Sequence, residues 1–492
     1  MTQLRFLCLA QNANYKTEIN KRWVAFSFLN LLLATPYVCF GALLSDSVLD
    51  EAIVLLYECI VTAVLILIIK NYRTKLKFTD RAKATFCVML ALPLASLASC
   101  VAAIKGNGYL YGVFVTVAVS PLYTFLALSV TNPHFEKKNR IFFRKAMEKL
   151  RESHAIKIMI TGSYGKTACK NILAPMLERK YSVIATEGNF NTPMGIAFTV
   201  EKMSGREEVF IAEAGARRRG DIRLLTKEIH PDYSITTGVC PQHLATFKSL
   251  HNVFLEKSEL SKGTKKISVF NCNDKYALKM YREHRGGKIM VCCNKEGDVY
   301  ADNVQLTKDG SSFRIVYENG SIDIRTKLLG KHNIINITLC AALALQMGVS
   351  AEDIKTAVES LTPVPHRLEY IYANGIHILD DSYNSNLVGV RSALEVLDLF
   401  PGRKVVLSQG IVEGGRYNGK LNTELGRNLS AHADAVILCG RNAKTVGAGL
   451  RAGGFSGEIY RYSDLRKAQS AFGKILRKDD VLFLQNDLPD VY

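Results

Sequence analysis

The 492-residue chain has no Cys-x-x-Cys pair. Its twelve cysteines are scattered from Cys8 to Cys439, and only Cys292 and Cys293 are adjacent. The spacing therefore provides neither a metal cluster nor a disulfide framework, and the thiols read as reduced ones of an intracellular or intramembrane setting. No RNP, zinc-finger or basic-helix pattern accompanies the formal net charge of +18, so nucleic acid is not an expected partner. Acidic residues are the scarcer charge, 45 against 63 basic ones. With 22% charged and 48% hydrophobic residues, the composition excludes disordered, collagen-like and small disulfide-stapled classes. At roughly 150 residues per domain, the length is room for about three.

Long apolar runs are what the N-terminal part does have. Four stretches, near Val24–Leu44, Ala52–Ile69, Ala84–Ile104 and Tyr109–Val130, each approach the ~20 residues that cross a bilayer as a helix. The first follows Lys16, Lys21 and Arg22 and ends in no small-residue cleavage site, which argues against a cleaved signal peptide. Burial of all four in a soluble fold is the alternative. The connection after the second stretch carries Lys70, Arg73, Lys75, Lys77, Arg81 and Lys83 against Asp80, whereas the preceding one carries Asp46, Asp50 and Glu51 with no base. The positive-inside rule then starts the chain in the cytoplasm and returns it there after four crossings. The expected arrangement is a multi-pass cell-membrane domain over residues 1–135, a basic juxtamembrane linker over 136–155, and cytoplasmic domains beyond. Lys137, Lys138, Arg140, Arg144, Lys145, Lys149 and Arg151 form a collar suited to anionic headgroups, which makes membrane lipid an expected partner and accounts for much of the excess charge.

Lys157–Ile160 reads as a hydrophobic strand running into Thr161-Gly162-Ser163-Tyr164-Gly165-Lys166-Thr167, and a helical pattern continues through Met176 and Leu177. Strand, glycine loop and helix together aim backbone N–H groups and a helix N-terminus at phosphate oxygens. Gly162, Ser163 and Gly165 lie in that cradle, Lys166 would neutralise the β/γ-phosphates, and the Thr167 hydroxyl would ligate Mg²⁺. The spacing is shorter than the usual Gly-x-x-x-x-Gly-Lys-Ser/Thr, because Ile160 stands where the first glycine should be. Three segments follow: Thr186–Gly195 with Asn189 and Asn191, Val209–Gly215 with Glu213, and Thr236–Leu244 with His243. Each acidic or imidazole group ends an apolar strand-like run, the edge at which open α/β sheets place their chemistry.

In these motifs the chain resembles the Mur ligases, the ATP-dependent amide ligases of peptidoglycan precursor synthesis, and most of all their D-alanyl-D-alanine-adding branch. The likeness continues through Asn252–Glu259 with Lys257, the Asn271-Cys272-Asn273-Asp274 turn, Gly330–Asn333 with Asn336, His366–Glu369 and Asp380–Asn386, over roughly residues 155–480. It implies a P-loop-type central ATP-binding domain over 156–364 and a Rossmann-like C-terminal domain over 365–492. It also implies ATP and Mg²⁺ as cofactors, and a carboxylate–amine ligation through an acyl phosphate. Lys166, Glu213, His243 and Lys257 form the expected catalytic set. Thr167 and Glu213 would hold one metal, with His243 and Glu213 near a second. Lys257 aligns with a lysine that many members carry as a carbamate, a metal-ligating anion. Asn271 and Asp274 resemble the adenine-contacting turn, although such residues also form ordinary turns. Asn333 and Arg367 match nucleotide-side positions, Arg367 as the phosphate-reaching arginine. Asn189, Asn191, Asp381, Tyr383 and Asn384 would face the substrates. Arg217-Arg218-Arg219 either steers an anionic substrate or is a solvated basic turn.

After Arg367, strand-like runs at Ile376–Leu379, Lys404–Leu407, Ala435–Leu438 and Val481–Leu484 alternate with helical segments near Val388–Leu397, Lys420–Ser430 and Leu465–Leu476. That alternation predicts a parallel α/β sheet. No Gly-x-Gly-x-x-Gly fingerprint occurs there, so a dinucleotide is not implied. The expected fold is thus multidomain, four membrane helices followed by two α/β domains. Two departures from the family bear on substrate. Apolar stretches stand where its soluble members grip the UDP end of their substrate, and the C-terminus Leu484–Tyr492 lacks the Lys-Gly-Ser-Arg-like turn of the dipeptide-adding enzymes. The expected activity is a membrane-anchored ligase adding D-alanyl-D-alanine, or another amino-acid or dipeptide amine, to a UDP- or lipid-linked muramoyl tripeptide. A poly-γ-glutamate-type synthase and a non-catalytic nucleotide-gated membrane scaffold are the alternatives.

Overall fold

The computed structural model describes residues 79–103, 120–383, 385–412 and 414–485. The chain divides into two compact units between Phe142 and Phe143. In the first, Arg81 Nη2 of helix Asp80–Ala103 donates to Asn132 Oδ1 of helix Ser120–Glu152 (2.6 Å), and the Thr85 and Thr131 hydroxyls pair at 3.0 Å. The spans expected at 24–44 and 52–69 lie outside the described residues, as does half of the one at 109–130. The stretch expected at 84–104 falls on helix Asp80–Ala103. Among the described residues no helix is long and apolar enough to cross a membrane. Residues 136–152, expected as a linker, continue the second helix.

The second unit holds two sheets. In chain order the first contains β1 (Ile156–Thr161), β2 (Val183–Ala185), β3 (Val209–Ala214), β4 (Tyr233–Thr236), β5 (Ile267–Asn271), β6 (Gly287–Cys292), β7 (Val299–Thr307), β8 (Gly310–Tyr317) and β9 (Gly320–Thr326), arranged β2-β3-β1-β4-β5-β6-β7-β8-β9. Strands through β6 pair parallel, and β1 and β3 read as near-continuous apolar runs because both faces are covered. Ile158, Ile160, Ile211 and Ile235 pack in one core with Leu173 of helix Lys166–Leu177 and Leu339 and Leu343 of helix Lys331–Gln346. The antiparallel β7-β8-β9 meander turns at Lys308-Asp309 and Glu318-Asn319, each followed by glycine, the Asp-Gly and Asn-Gly signals of tight hairpins.

The second sheet contains β10 (Glu369–Ala373), β11 (Ile376–Asp381), β12 (Lys404–Ser408), β13 (Ala435–Cys439), β14 (Glu458–Tyr462) and β15 (Val481–Gln485), arranged β10-β11-β15-β12-β13-β14. All pair parallel except β10 with β11, which corrects the all-parallel expectation. The cause is the two-residue turn Asn374-Gly375, both left-handed at φ 53° and 75°, a conformation that reverses the chain into an antiparallel neighbour. The helix expected over Leu465–Leu476 is split at Ala471.

Candidate active site

The parallel order of the first sheet puts the ends of β1, β3, β4 and β5 side by side, with Ile160 beside Glu213 and Thr161 beside Thr236 in register. The loop leaving β1 is held open by two glycines. Gly162 has φ 155°, and a Cβ there would stand 1.8 Å from Thr237 Oγ1; Gly165 has φ 73°, and a Cβ would stand 2.9 Å from Asn336 Oδ1. A side chain at either position would occupy the space the loop needs to curl. Ser163 N donates to Gly238 O (2.8 Å) and its hydroxyl to Cys240 O (3.2 Å), which ties the loop to the segment after β4. Lys166 Nζ donates to Gly162 O at 2.9 Å.

Glu213, one residue from the end of β3 and 1% exposed, is gripped at both oxygens. Thr167 Oγ1 donates to Oε2 at 2.7 Å and Asn191 Nδ2 to Oε1 at 3.0 Å, while its own N–H donates to Thr186 Oγ1 at 3.1 Å. Arg367, beyond the last helix packed on the first sheet, donates from Nη2 to Thr167 Oγ1 at 3.3 Å, and its guanidinium lies 4.3 Å from the Tyr383 ring centre. Asp381 belongs to the same group. Desolvation pushes its carboxyl up to about 7, with Arg367 opposing. Thr167, Glu213, Arg367, Tyr383 and Asp381 are thus brought together from four distant segments. The flanking residues His366 and Leu368 both adopt left-handed backbone, φ 63° and 52°, and His366 Nδ1 meets Asp380 Oδ2 at 2.7 Å.

Lys257, on helix Leu250–Lys262, is 4% exposed. Burial first, and then Lys166, pulls its amine from 10.5 down to about 7, with Glu213 acting in the opposite sense. His243 does not end a strand as expected. β4 stops at Thr236, and His243 stands left-handed (φ 51°) at the start of the short helix Leu244–Phe247, because the segment after β4 first ties into the phosphate loop. Among the described residues no group of three His, Cys, Asp or Glu is placed to hold a metal.

Other expected site residues are committed within the protein. Asn271 Nδ2 donates to Thr237 O (2.7 Å) and its Oδ1 accepts from Asn273. Asp274 caps helix Lys275–Glu283 through Tyr276 N and Ala277 N and accepts the Tyr164 hydroxyl at 3.2 Å. Asn333 Nδ2 donates to Leu329 O at 2.9 Å. Buried polar atoms need partners, and these have found them in the fold. Asn189 is exposed, and Asn384 lies outside the described residues.

The sequence reading missed two residues. Glu256 takes Gly220 N and Ile222 N, both at 2.7 Å, capping helix Asp221–Ile229 from a distant helix, which no local pattern announces. Lys170 is 2% exposed. Its spacing from Leu173 and Leu177 placed a charge on the buried stripe of its helix, and that was a readable signal.

The Mur ligase middle-domain profile matches residues 160–344, and the profile of the Mur ligase glutamate ligase domain matches residues 366–485. The chain belongs to the Mur ligase family. Among curated relatives, the UDP-N-acetylmuramoyl-tripeptide–D-alanyl-D-alanine ligase of Buchnera aphidicola is 29% identical over 307 residues, 61% of this chain and 67% of that protein. Of solved structures, MurF from Acinetobacter baumannii superposes with a TM-score of 0.66 at 23% identity, over 72% of this chain and 78% of that one. MurF from Thermotoga maritima in complex with ADP superposes at 0.64 and 24% identity, over 71% and 80%. These likenesses show that the two sheets adopt the Mur ligase fold. The donor set of this Mur ligase also suits a hard divalent cation. Thr167 and Glu213 offer two hard oxygens 2.7 Å apart beside a glycine loop, and Mg²⁺ is commonly held by one or two protein oxygens plus phosphate and water.

Proposed function

We propose that this ATP-dependent Mur ligase joins D-alanyl-D-alanine to a muramoyl tripeptide. The observation that carries the reading is the hydroxyl, carboxylate and guanidinium of Thr167, Glu213 and Arg367 converging beside the glycine loop. The curated relatives named for that dipeptide supply the substrate choice. In the reaction a carboxylate oxygen of the tripeptide attacks the ATP γ-phosphorus and the bond to ADP breaks. The dipeptide amine then attacks the acyl carbon, loses a proton and expels phosphate. Both steps need neutralised charge and fixed geometry above all. The loop N–H groups and Lys166 would face the transferring phosphoryl group, Thr167 and Glu213 would hold Mg²⁺, and Arg367 would bring the second sheet to the phosphates. Mg²⁺ bound there would offset phosphate charge. His243, Asn189, Asp381, Tyr383 and Asn384 are assigned to the carboxylate and amine substrates, Asn191 to holding Glu213 rather than the substrate, and Asn271, Asp274 and Asn333 to supporting the nucleotide side.

The test is phosphate release by the full chain with Mg²⁺-ATP, crossing UDP- and lipid-linked muramoyl tripeptides with D-alanyl-D-alanine and glutamate, with products weighed by mass spectrometry. Release that requires the dipeptide and yields its condensed product is expected. Chain growth by repeated glutamate would favour the polyglutamate alternative, and hydrolysis indifferent to every amine the scaffold.

Lys257 is assigned the carbamate role. Its amine, neutral above about pH 7, attacks CO₂ and releases a proton, giving a metal-ligating anion. The same depressed pKa has a consequence for stability in CO₂-free buffer. Between about 7 and 10.5 the unfolded chain holds this proton and the folded chain does not, so the group's cost to stability is greatest below 7 and vanishes above 10.5. Lys257→Met is expected to melt higher than the parent near pH 7 and to lose that margin as the pH passes 10.5. An equal margin at both, or none, contradicts a Lys257 amine that is neutral above about pH 7 in the folded chain.

The four apolar stretches and the basic collar support a further part of the reading, that residues 1–135 anchor the ligase on the cytoplasmic face of the cell membrane, beside lipid-linked substrate. Full-length chain should stay with membranes through an alkaline carbonate wash. Its quantitative release would end the anchor reading.

A further inference from the structure

Lys170 is a buried charge that the proposed chemistry leaves unused. It follows Lys166 by one helical turn on helix Lys166–Leu177, with only 2% of its surface exposed. No carboxylate is hydrogen-bonded to it. Its Nζ donates instead to two backbone carbonyls, Thr186 O and Gly188 O, the latter at 2.5 Å. Both belong to the loop 186–192 that leaves β2 on the far side of Glu213. An ammonium with this little exposure is costly unless it is hydrogen-bonded, and these two carbonyls are its partners.

That loop is what holds the far oxygen of Glu213. Thr186 Oγ1 accepts the Glu213 N–H, Asn191 O accepts Gly215 N (3.1 Å), and Asn191 Nδ2 donates to Glu213 Oε1. The near oxygen is held by Thr167, three residues before Lys170 on the same helix. One helix therefore reaches Glu213 twice, directly through a hydroxyl and indirectly through a lysine that pins the loop bearing Asn191. Loops between elements otherwise carry the most mobile backbone in a fold, and Lys170 pins two carbonyls at the start of a loop whose residues 187–190 are exposed.

We propose that Lys170 is a positioning residue, clamping loop 186–191 through two carbonyls so that Asn191 sets the Glu213 carboxylate for the metal and phosphate. The inference rests on the ligase reading only in its kinetic consequence, since the clamp itself is a property of the free protein. Two measurements separate them. Hydrogen exchange of the chain without nucleotide is expected to quicken about tenfold at amides 187–191 in Lys170→Met, with the core of β3 unchanged, and to return toward the parent in Lys170→Arg, whose guanidinium can also donate to two carbonyls. In turnover, Lys170→Met is expected to lower kcat about tenfold or more and to raise the Mg²⁺ concentration giving half-maximal rate, with Lys170→Arg recovering part of both. Lys170 and Asn191 act in series, so Lys170→Met/Asn191→Ala should be no slower than the slower single variant. Unchanged loop exchange in Lys170→Met, or rate losses that multiply in the double variant, overturns the proposal. If Lys170→Met does not fold, slower loop exchange in the parent than in Asn191→Ala with an unshifted Mg²⁺ midpoint does the same. A parent chain inactive with every substrate pair would count against the ligase reading and leave the exchange result to decide the clamp.

Discussion

Glu213→Gln is expected to fold as the parent does and to lose amine-dependent phosphate release by about 10²–10³-fold. The amide is isosteric, and the Thr167 hydroxyl and Asn191 amide that grip the carboxylate at 2.7 and 3.0 Å each find a partner on it. What disappears is the negative charge. Lys166 and Lys170 both feel Glu213 as an opposing charge, so its removal leaves a surplus of cations around the phosphate loop and no anionic oxygen for Mg²⁺. The loss should therefore show in kcat and in a rise of the Mg²⁺ requirement, measured by steady-state phosphate release across a metal titration, while the circular dichroism spectrum is retained. Parent-like turnover would remove Glu213 from the reacting centre.

Lys166→Met should abolish turnover to a similar extent, about 10²–10³-fold, and yet melt no lower than the parent. Methionine keeps the unbranched stem and deletes an ammonium whose pKa burial has already lowered. In the structure that ammonium rests on Gly162 O at 2.9 Å, a carbonyl within the loop, and it would exchange this contact for phosphate when nucleotide arrives. A half-buried cation held ready for a ligand costs the free protein stability, so its deletion separates stability from function. The checks are a thermal melt without nucleotide, ATP binding by calorimetry, and turnover. A variant that turns over normally, or one that fails to fold, contradicts this account of Lys166.

Much of the architecture was legible because it is written in local periodicity. The helix expected to run through Leu177 ends there, and the strands at Ile376, Lys404, Ala435 and Val481 begin where their apolar runs begin. The β7-β8-β9 meander and the β10-β11 hairpin were missed although Asp309-Gly310, Asn319-Gly320 and Asn374-Gly375 are tight-turn pairs. Short polar-alternating strands around such turns carry a weaker signal than buried parallel ones. The site divides in the same manner. Thr167 and Glu213 stood out because each closes a recognisable local pattern, a glycine loop and a buried strand. The roles of Asn191 and Lys170 did not, because each depends on which loop the fold brings alongside.

The sequence by itself determined the element types, the phosphate loop and the family, since all three rest on residue order over a few turns of chain and on spacing that survives without knowledge of the packing. Only the tertiary structure decided that Arg367 reaches Thr167 across 200 positions, that Asn271 meets Thr237 and Asp274 meets Tyr164, and that Glu213 is set from two sides. Those outcomes are contacts between segments far apart in the chain. They are chosen by which buried polar atoms must find partners once the sheets have packed, and nothing in local sequence encodes that choice.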